Sequence, residues 1–288
     1  MGRSGTDLRG RLATGQPVLM PGVWDALSAT VAAEAGFDTV FLSGYAVSGT
    51  LLARPDYGFL TQTEMAEVAR RVCAAAPGTM VVVDADTGYG NPLNTMRTVE
   101  LWEQAGAAGM FLEDQVWPKR CGHMAGKQVV PAEDWLAKLR AAAAHRGHLH
   151  LTARTDARAA VSLADAIERA KMARDTGVDA LFVEAPESLA EMEAIVTALP
   201  DITLVANMVE TGKTPLRTPG ELHDLGFDLV VSPLSGLLAM TKALRDTLAL
   251  LRAEGTLRDH LDRLVEFDAF TDLVGLPEVQ AAEVRFQP

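Results

Sequence analysis

The sequence predicts an α/β protein, a (β/α)8 barrel of the TIM type with additional C-terminal helices. Three observations carry this prediction. Short β-branched apolar runs recur eight times, amphipathic stretches with apolar residues three and four apart lie between them, and glycines separate many of those stretches from the next run. At 288 residues the chain has the length of one such barrel and its trimmings.

The predicted strands are Val18–Met20, Thr39–Leu42, Met80–Val83, Gly109–Leu112, Leu149–Ala153, Ala180–Val183, Thr203–Ala206 and Asp228–Val231. Met80-Val81-Val82-Val83 is apolar at consecutive positions, as a parallel strand covered on both faces must be. The predicted helices between them are Asp25–Ala35, Gln62–Ala75, Pro92–Ala105, Pro131–His145, Leu163–Thr176, Leu189–Leu199 and Pro219–Leu225. Thr218-Pro219 ahead of Glu221 is a helix start, and Gly36, Gly106, Gly177 and Gly226 are helix stops. An open Rossmann-like sheet is the alternative, but no G-x-G-x-x-G follows an early strand. Residues 1–288 read as a single barrel domain, in which 237–288 form a helical extension beginning with a long helix, Leu237–Arg252. Phe267, Phe270, Leu273, Leu276 and Val279 in that extension need an apolar partner, such as a neighbouring subunit.

Composition narrows the function. The formal net charge is -12 with no dense Lys/Arg cluster, which argues against nucleic acid and anionic membranes as partners. Two cysteines make no disulfide framework. Met1–Gln16 has no apolar signal core, and no apolar run approaches the roughly 20 residues that span a bilayer, so a cytoplasmic location is expected.

Barrel enzymes build their sites at the C-terminal ends of the strands. Here those ends carry Ser43-Gly44, Asp84 with Asp86, Glu113-Asp114, Arg154 with Asp156, Glu184, Asn207 with Glu210, and Ser232-Pro233 with Ser235. One such residue can be a helix cap; polar groups at nearly every strand end point to a site. Asp84 and Asp86, with Asp56 and Glu113, would repel one another without a proton or a divalent cation among them. Oxygen donors of this kind suit Mg2+, or Mn2+, with Asp84 as the direct ligand and the others acting largely through water. In Lys119-Arg120-Cys121-Gly122-His123 the flanking cations favour the thiolate, so Cys121 can exchange a proton near neutral pH. The connection from about Gln115 to Val130 has the length of a lid. Cys73, among Val72 and alanines, reads as core; Trp24, Trp102 and Trp135 read as residues of helical faces; the remaining histidines lack metal-ligand spacing.

Together these residues resemble the isocitrate lyase/phosphoenolpyruvate mutase superfamily over almost the whole chain. The likeness runs through Ser43-Gly44, Pro55-Asp56, Val83-Asp-Ala-Asp-Thr-Gly-Tyr-Gly90, Glu113-Asp-Gln115, Lys119–His123, Ala153-Arg-Thr-Asp156, Glu184-Ala185, Ala206-Asn207 and Pro233-Leu-Ser235. The Lys-Arg-Cys-Gly-His block is that of the lyase-type branch, which includes methylisocitrate lyases, 2,3-dimethylmalate lyases and carboxyphosphonoenolpyruvate mutases. The resemblance implies a barrel whose eighth helix is swapped between subunits of a dimer-of-dimers homotetramer. It implies cleavage of a 2-hydroxy di- or tricarboxylate to an α-keto acid such as pyruvate and a second carboxylic acid. On that pattern Asp84 holds Mg2+, while Ser43, Gly44, Arg154 and Asn207 place the carboxylates. Gly122, Glu184, Glu210, Pro233 and Ser235 join them around the substrate. Cys121 protonates the carbanion-like product, with Lys119, Arg120 and His123 beside it.

Two departures bear on the substrate. Methylisocitrate lyases carry tyrosine where this chain has Phe41, and a small residue where it has Tyr45, so Tyr45 either takes over the hydroxyl proton or only narrows the pocket. The run Asn207-Met-Val-Glu-Thr-Gly-Lys-Thr-Pro215 is closer to the dimethylmalate lyase and carboxyphosphonoenolpyruvate mutase pattern, and Lys213 adds a cation available to a substrate anion. The alternatives within the family are phosphonomutase and oxaloacetate decarboxylase or hydrolase chemistry. A non-catalytic carboxylate-binding barrel is the alternative of another class; intact Asp84, Cys121 and Arg154 argue against it.

Overall fold

The computed structural model describes residues 5–120 and 126–286. The chain divides into two compact units, Met1–Ser235 and Gly236–Pro288. In chain order the first contains α1 (Gly5–Leu12), β1 (Val18–Val23), α2 (Ala26–Glu34), β2 (Thr39–Leu42), α3 (Gly44–Leu52), α4 (Gln62–Ala75), β3 (Met80–Asp84) and α5 (Pro92–Ala105). It continues with β4 (Gly109–Glu113), α6 (Ala132–His145), β5 (His150–Thr155), α7 (Ala157–Ala160), α8 (Leu163–Arg174), β6 (Ala180–Val183), α9 (Leu189–Ala198), β7 (Thr203–Asn207), α10 (Pro219–Leu225) and β8 (Leu229–Ser232). The eight strands close into a barrel in sequence order, every pairing parallel and β8 joined to β1.

Local chemistry sets the helix ends. Thr61 with Glu64, and Thr218 with Glu221, form reciprocal capping boxes at α4 and α10. Asn91 caps α5 ahead of Pro92, and Gly106 ends it at φ 91°, a conformation costly for any residue with a Cβ.

The strand period of two then decides what faces the axis. Met20, Phe41, Val82, Phe111, Phe182, Val205 and Val231 belong to one core cluster inside the barrel. Two residues further along β2 to β4, β6 and β7, the same inward parity delivers Ser43, Asp84, Glu113, Glu184 and Asn207; on β5, Arg154 pairs in register with Glu113 and Phe182. Gly22 on β1 is obligatory, since a Cβ there would lie 2.0 Å from the Pro233 carbonyl oxygen.

Three helices, α1, α3 and the short α7, lie outside the set the sequence predicts. Glycines at 44 and 49 obscure α3, yet Ser43 caps it by accepting from the Ala46 N–H. Trp24 lies between β1 and the Asp25 cap of α2, not on a helical face. In α1, Leu8 is fully buried in the barrel core cluster with Leu12 packed against it. Arg9 ties the same helix to the barrel, donating to Asp179 at 2.8 and 2.9 Å and to the carbonyls of His148 and Leu149. Arg146 also pairs with Asp179.

Burial beside these guanidinium groups holds the His150 imidazole down at about 4, so it is neutral at pH 7. A histidine whose folded pKa is depressed adds stability above its unfolded value near 6.5, and that stability is lost as pH falls toward 4. The expected loss between pH 7 and pH 4.5 is about 2–3 kcal/mol, removed in His150→Gln; urea unfolding at those two pH values measures it.

The second unit is helical: α11 (Ser235–Glu254, its first residue in the barrel unit), a 3-10 turn Leu261–Arg263, α12 (Phe267–Leu273) and α13 (Leu276–Phe286). Large apolar side chains in it are exposed, Phe267 at 81% and Val279 at 63%. Among the described residues no helix is long and apolar enough to cross a membrane.

Candidate active site

The strand ends enclose a pocket lined by Ser43, Tyr45, Asp56, Asp84, Lys119, Arg120, Arg154, Asn207 and Pro233, all sequence-predicted. Gly44, Asp86, Glu113 and Glu184 contact members of that lining without belonging to it, and Glu210 and Ser235 do not line the pocket. Cys121, Gly122 and His123 lie outside the described residues.

On one side of the pocket are acids. Asp84 is buried at the end of β3, and its Oδ1 accepts the Asp86 N–H at 3.1 Å. A Cβ on Gly44 would fall 2.8 Å from Asp84 Oδ2, so only glycine lets the start of α3 come this near the carboxylate. Lys119 Nζ lies 2.7 Å from both Asp56 and Asp86. Burial disfavours the Lys119 charge, but Asp86, Asp56, Asp84 and Glu113 outweigh it and hold the ammonium above the ordinary lysine range. Burial pushes the Asp86 carboxyl up to about 7, with Lys119 opposing and Asp84 and Asp56 adding to the rise. Burial also lifts Glu113 well above the usual carboxylate range.

Across the pocket stands Arg154. It donates to Asp156 from Nε at 2.9 Å and from Nη2 at 3.2 Å, and it lies 3.3 Å from Glu184 and 3.4 Å from Glu113. Burial opposes its charge, but Asp156, Glu184 and Glu113 keep it above the ordinary arginine range. Asn207 Nδ2 donates to Glu184 at 3.2 Å, while Asn207 Oδ1 is buried without a hydrogen-bond partner.

An aromatic floor joins the two sides. Phe41 and Phe111 have ring centroids 4.9 Å apart, Phe111 and Phe182 5.6 Å, and the Arg154 guanidinium sits 5.2 Å over Phe182. Val209, Val231 and Leu234 complete the wall at β7 and β8. Sequence reading singled out Phe41 but missed Phe111, Phe182, Val209, Val231 and Leu234; inward strand parity was the available signal for Phe111, Phe182 and Val231. Lys213 does not line the pocket; it pairs with Glu187 at 3.3 Å and is half exposed. Glu210 Oε1 accepts from the hydroxyls of Ser235 and Ser232. Burial pushes the Cys73 thiol up to about 12, away from any nucleophilic use at neutral pH.

Among the described residues no group of three or more His, Cys, Asp or Glu side chains is arranged to hold a metal ion. The donor set nevertheless fits Mg2+ in its usual manner, with one direct carboxylate and retained waters. Asp84, Asp86, Asp56, Glu113, Asp156 and Glu184 are buried carboxylic groups, and the buried lysines 119 and 127 with Arg154 do not balance them. That excess of oxygen donors favours a further cation or protons.

Residues 8–252 match the family model described as phosphoenolpyruvate phosphomutase. The chain is 49% identical over 274 residues to the chloroplastic carboxyvinyl-carboxyphosphonate phosphorylmutase of Arabidopsis thaliana, covering 93% of this chain and 80% of the relative. It is 41% identical over 281 residues to the 2,3-dimethylmalate lyase of Eubacterium barkeri, covering 97% and 96%. The crystal structure of a 2,3-dimethylmalate lyase, described as a member of the PEP mutase/isocitrate lyase superfamily, superimposes with a TM-score of 0.94 at 32% identity over 99% of this chain and 96% of that one.

Proposed function

This chain belongs to the phosphoenolpyruvate mutase/isocitrate lyase superfamily, and from that premise we propose that it is a Mg2+-dependent carbon–carbon lyase acting on a 2-alkylmalate-type 2-hydroxy dicarboxylate. The observation that carries the reading is one pocket with the Asp84 cluster on one side, Arg154 on the other and an aromatic floor between them. Asp84 would hold the ion directly, with Asp86, Asp56 and Glu113 reaching it through water; the same oxygen donors would also suit Mn2+. When bound, the ion supplies Lewis-acid stabilisation of negative charge on the substrate's 2-oxygen.

The chain's own groups do the rest. The planar fork of Arg154 suits a carboxylate. Ser43 and the Gly44 N–H at the start of α3 take the other anionic oxygens. Tyr45 lines the pocket and, as its phenolate, would take the 2-hydroxyl proton as the bond between C2 and C3 breaks. The electron pair of that bond stays on C3, which takes a proton from Cys121, assigned here by the resemblance. The products are an α-keto acid such as pyruvate and a second carboxylic acid.

The β7–β8 wall argues for an alkyl branch over a third carboxylate. Val209, Val231, Pro233 and Leu234 line it, and among the described residues it carries no cation. The same wall disfavours the second reading, phosphonate chemistry of the kind named for the Arabidopsis relative, because a phosphonate brings more negative charge. The test is a panel with Mg2+: 2,3-dialkylmalates, methylisocitrate, oxaloacetate and phosphonopyruvate. A dialkylmalate is expected to lead by about tenfold or more in kcat/KM, a difference of about 1.4 kcal/mol. Turnover of the phosphonate alone contradicts the reading. The same proposal includes a cytoplasmic homotetramer, a dimer of dimers in which 237–288 exchange between subunits; exposed Phe267 and Val279 support it.

A further inference from the structure

Arg154 does not hold its own orientation. Asp156 engages its Nε and Nη2 together, which fixes the plane of the guanidinium and leaves the Nη1 edge less committed. Asp156 is itself fully buried, and its Oδ1 also accepts from Lys127 Nζ at 2.7 Å. The Lys127 side chain is only 1% exposed. Its backbone stretch is tied to the end of β4: Val116 N–H donates to the Gln128 carbonyl at 2.8 Å, and Val130 N–H to the Asp114 carbonyl at 2.9 Å. Asp114 in turn accepts from the Asp156 N–H at 2.8 Å and from Thr155 Oγ1 at 2.6 Å. Lys127 thus reaches the substrate-facing arginine through one shared carboxylate.

We propose that Lys127 is a positioning residue, whose ion pair with Asp156 sets the Arg154 guanidinium for a substrate carboxylate. This rests on the reading of Arg154 as the carboxylate anchor. Without the ammonium, Asp156 is neutralised by Arg154 alone, and the guanidinium is drawn toward its acidic neighbours and away from the ligand. Burial favours a neutral Asp156, but Arg154 and Lys127 hold its carboxyl well below the usual range.

The test compares Lys127→Met, Lys127→Arg and the double variant Lys127→Met/Asp156→Asn with wild type, in steady-state kinetics and in calorimetric titration with oxalate in the presence of Mg2+. Lys127→Met is expected to raise KM and weaken oxalate binding by about tenfold, with kcat changed less than threefold. Lys127→Arg, which keeps a cation on Asp156, restores most of both. Where Lys127→Met folds poorly, the double variant removes the Asp156 charge along with the ammonium, and it is expected to fold yet keep the raised KM. Wild-type KM and oxalate affinity in a folded variant lacking Lys127 overturn the proposal, as does an equal defect in the Met and Arg variants. Arg154→Met with undiminished oxalate binding instead overturns the anchor reading beneath it, so the two failures are distinguishable.

Discussion

Arg154→Met is expected to cost about 3–5 kcal/mol of stability and to lower kcat/KM by roughly a hundredfold to a thousandfold. The side chain is 11% exposed and lies within 3.4 Å of Asp156, Glu184 and Glu113. An apolar replacement leaves these carboxylates facing one another in a buried space, where an unbalanced charge is more costly than the lost ion pair was worth. Part of the strain is relieved by proton uptake, first at Glu113, whose carboxyl burial already holds high. The sign follows: carboxyls with folded pKa values above their unfolded ones add stability at low pH and lose it as pH rises. The variant's deficit against wild type should therefore be larger at pH 8 than at pH 6 in urea unfolding. A pH-independent deficit would mean the carboxylates are not responding to the missing charge.

Asp84→Asn is expected to abolish measurable Mg2+ binding in calorimetry and to lower turnover by about a thousandfold or more. Asn preserves the shape beside Gly44, where the space is too tight for a larger group. It removes the anionic donor that a hard cation requires. Loss of activity with retained metal affinity would move the direct ligand to another carboxylate. Asp86 and Asp56 are the immediate candidates, though Lys119 lies 2.7 Å from each.

Much of the barrel was legible because two simple periods alternate along the chain. The run Met80–Val83 can only be a doubly covered strand, and inward parity from Phe41, Val82 and Phe182 leads to Ser43, Asp84 and Glu184. The structure moves several ends by one or two residues and extends β1 through Pro21 and Gly22 to Val23, where Pro-Gly reads as a break. Illegible were features that rest on distance. Lys119 meets Asp56 across 63 residues, and Lys127 meets Asp156 across 29. No local pattern announces such pairs. The helix α1 was obscured by glycines, although Leu8 and Leu12 stand one helical turn apart, the spacing that places both against the core.

The Mg2+-dependent cleavage itself is the claim the rest depends on. Its most direct measurement is α-keto acid release from a 2,3-dialkylmalate, followed by coupled reduction, with the metal stripped by EDTA and then restored. Release that stops with EDTA, returns with Mg2+ and is absent in Asp84→Asn is the predicted result. Release that persists in EDTA, or no release from any 2-hydroxy dicarboxylate while phosphonopyruvate is consumed, would contradict it.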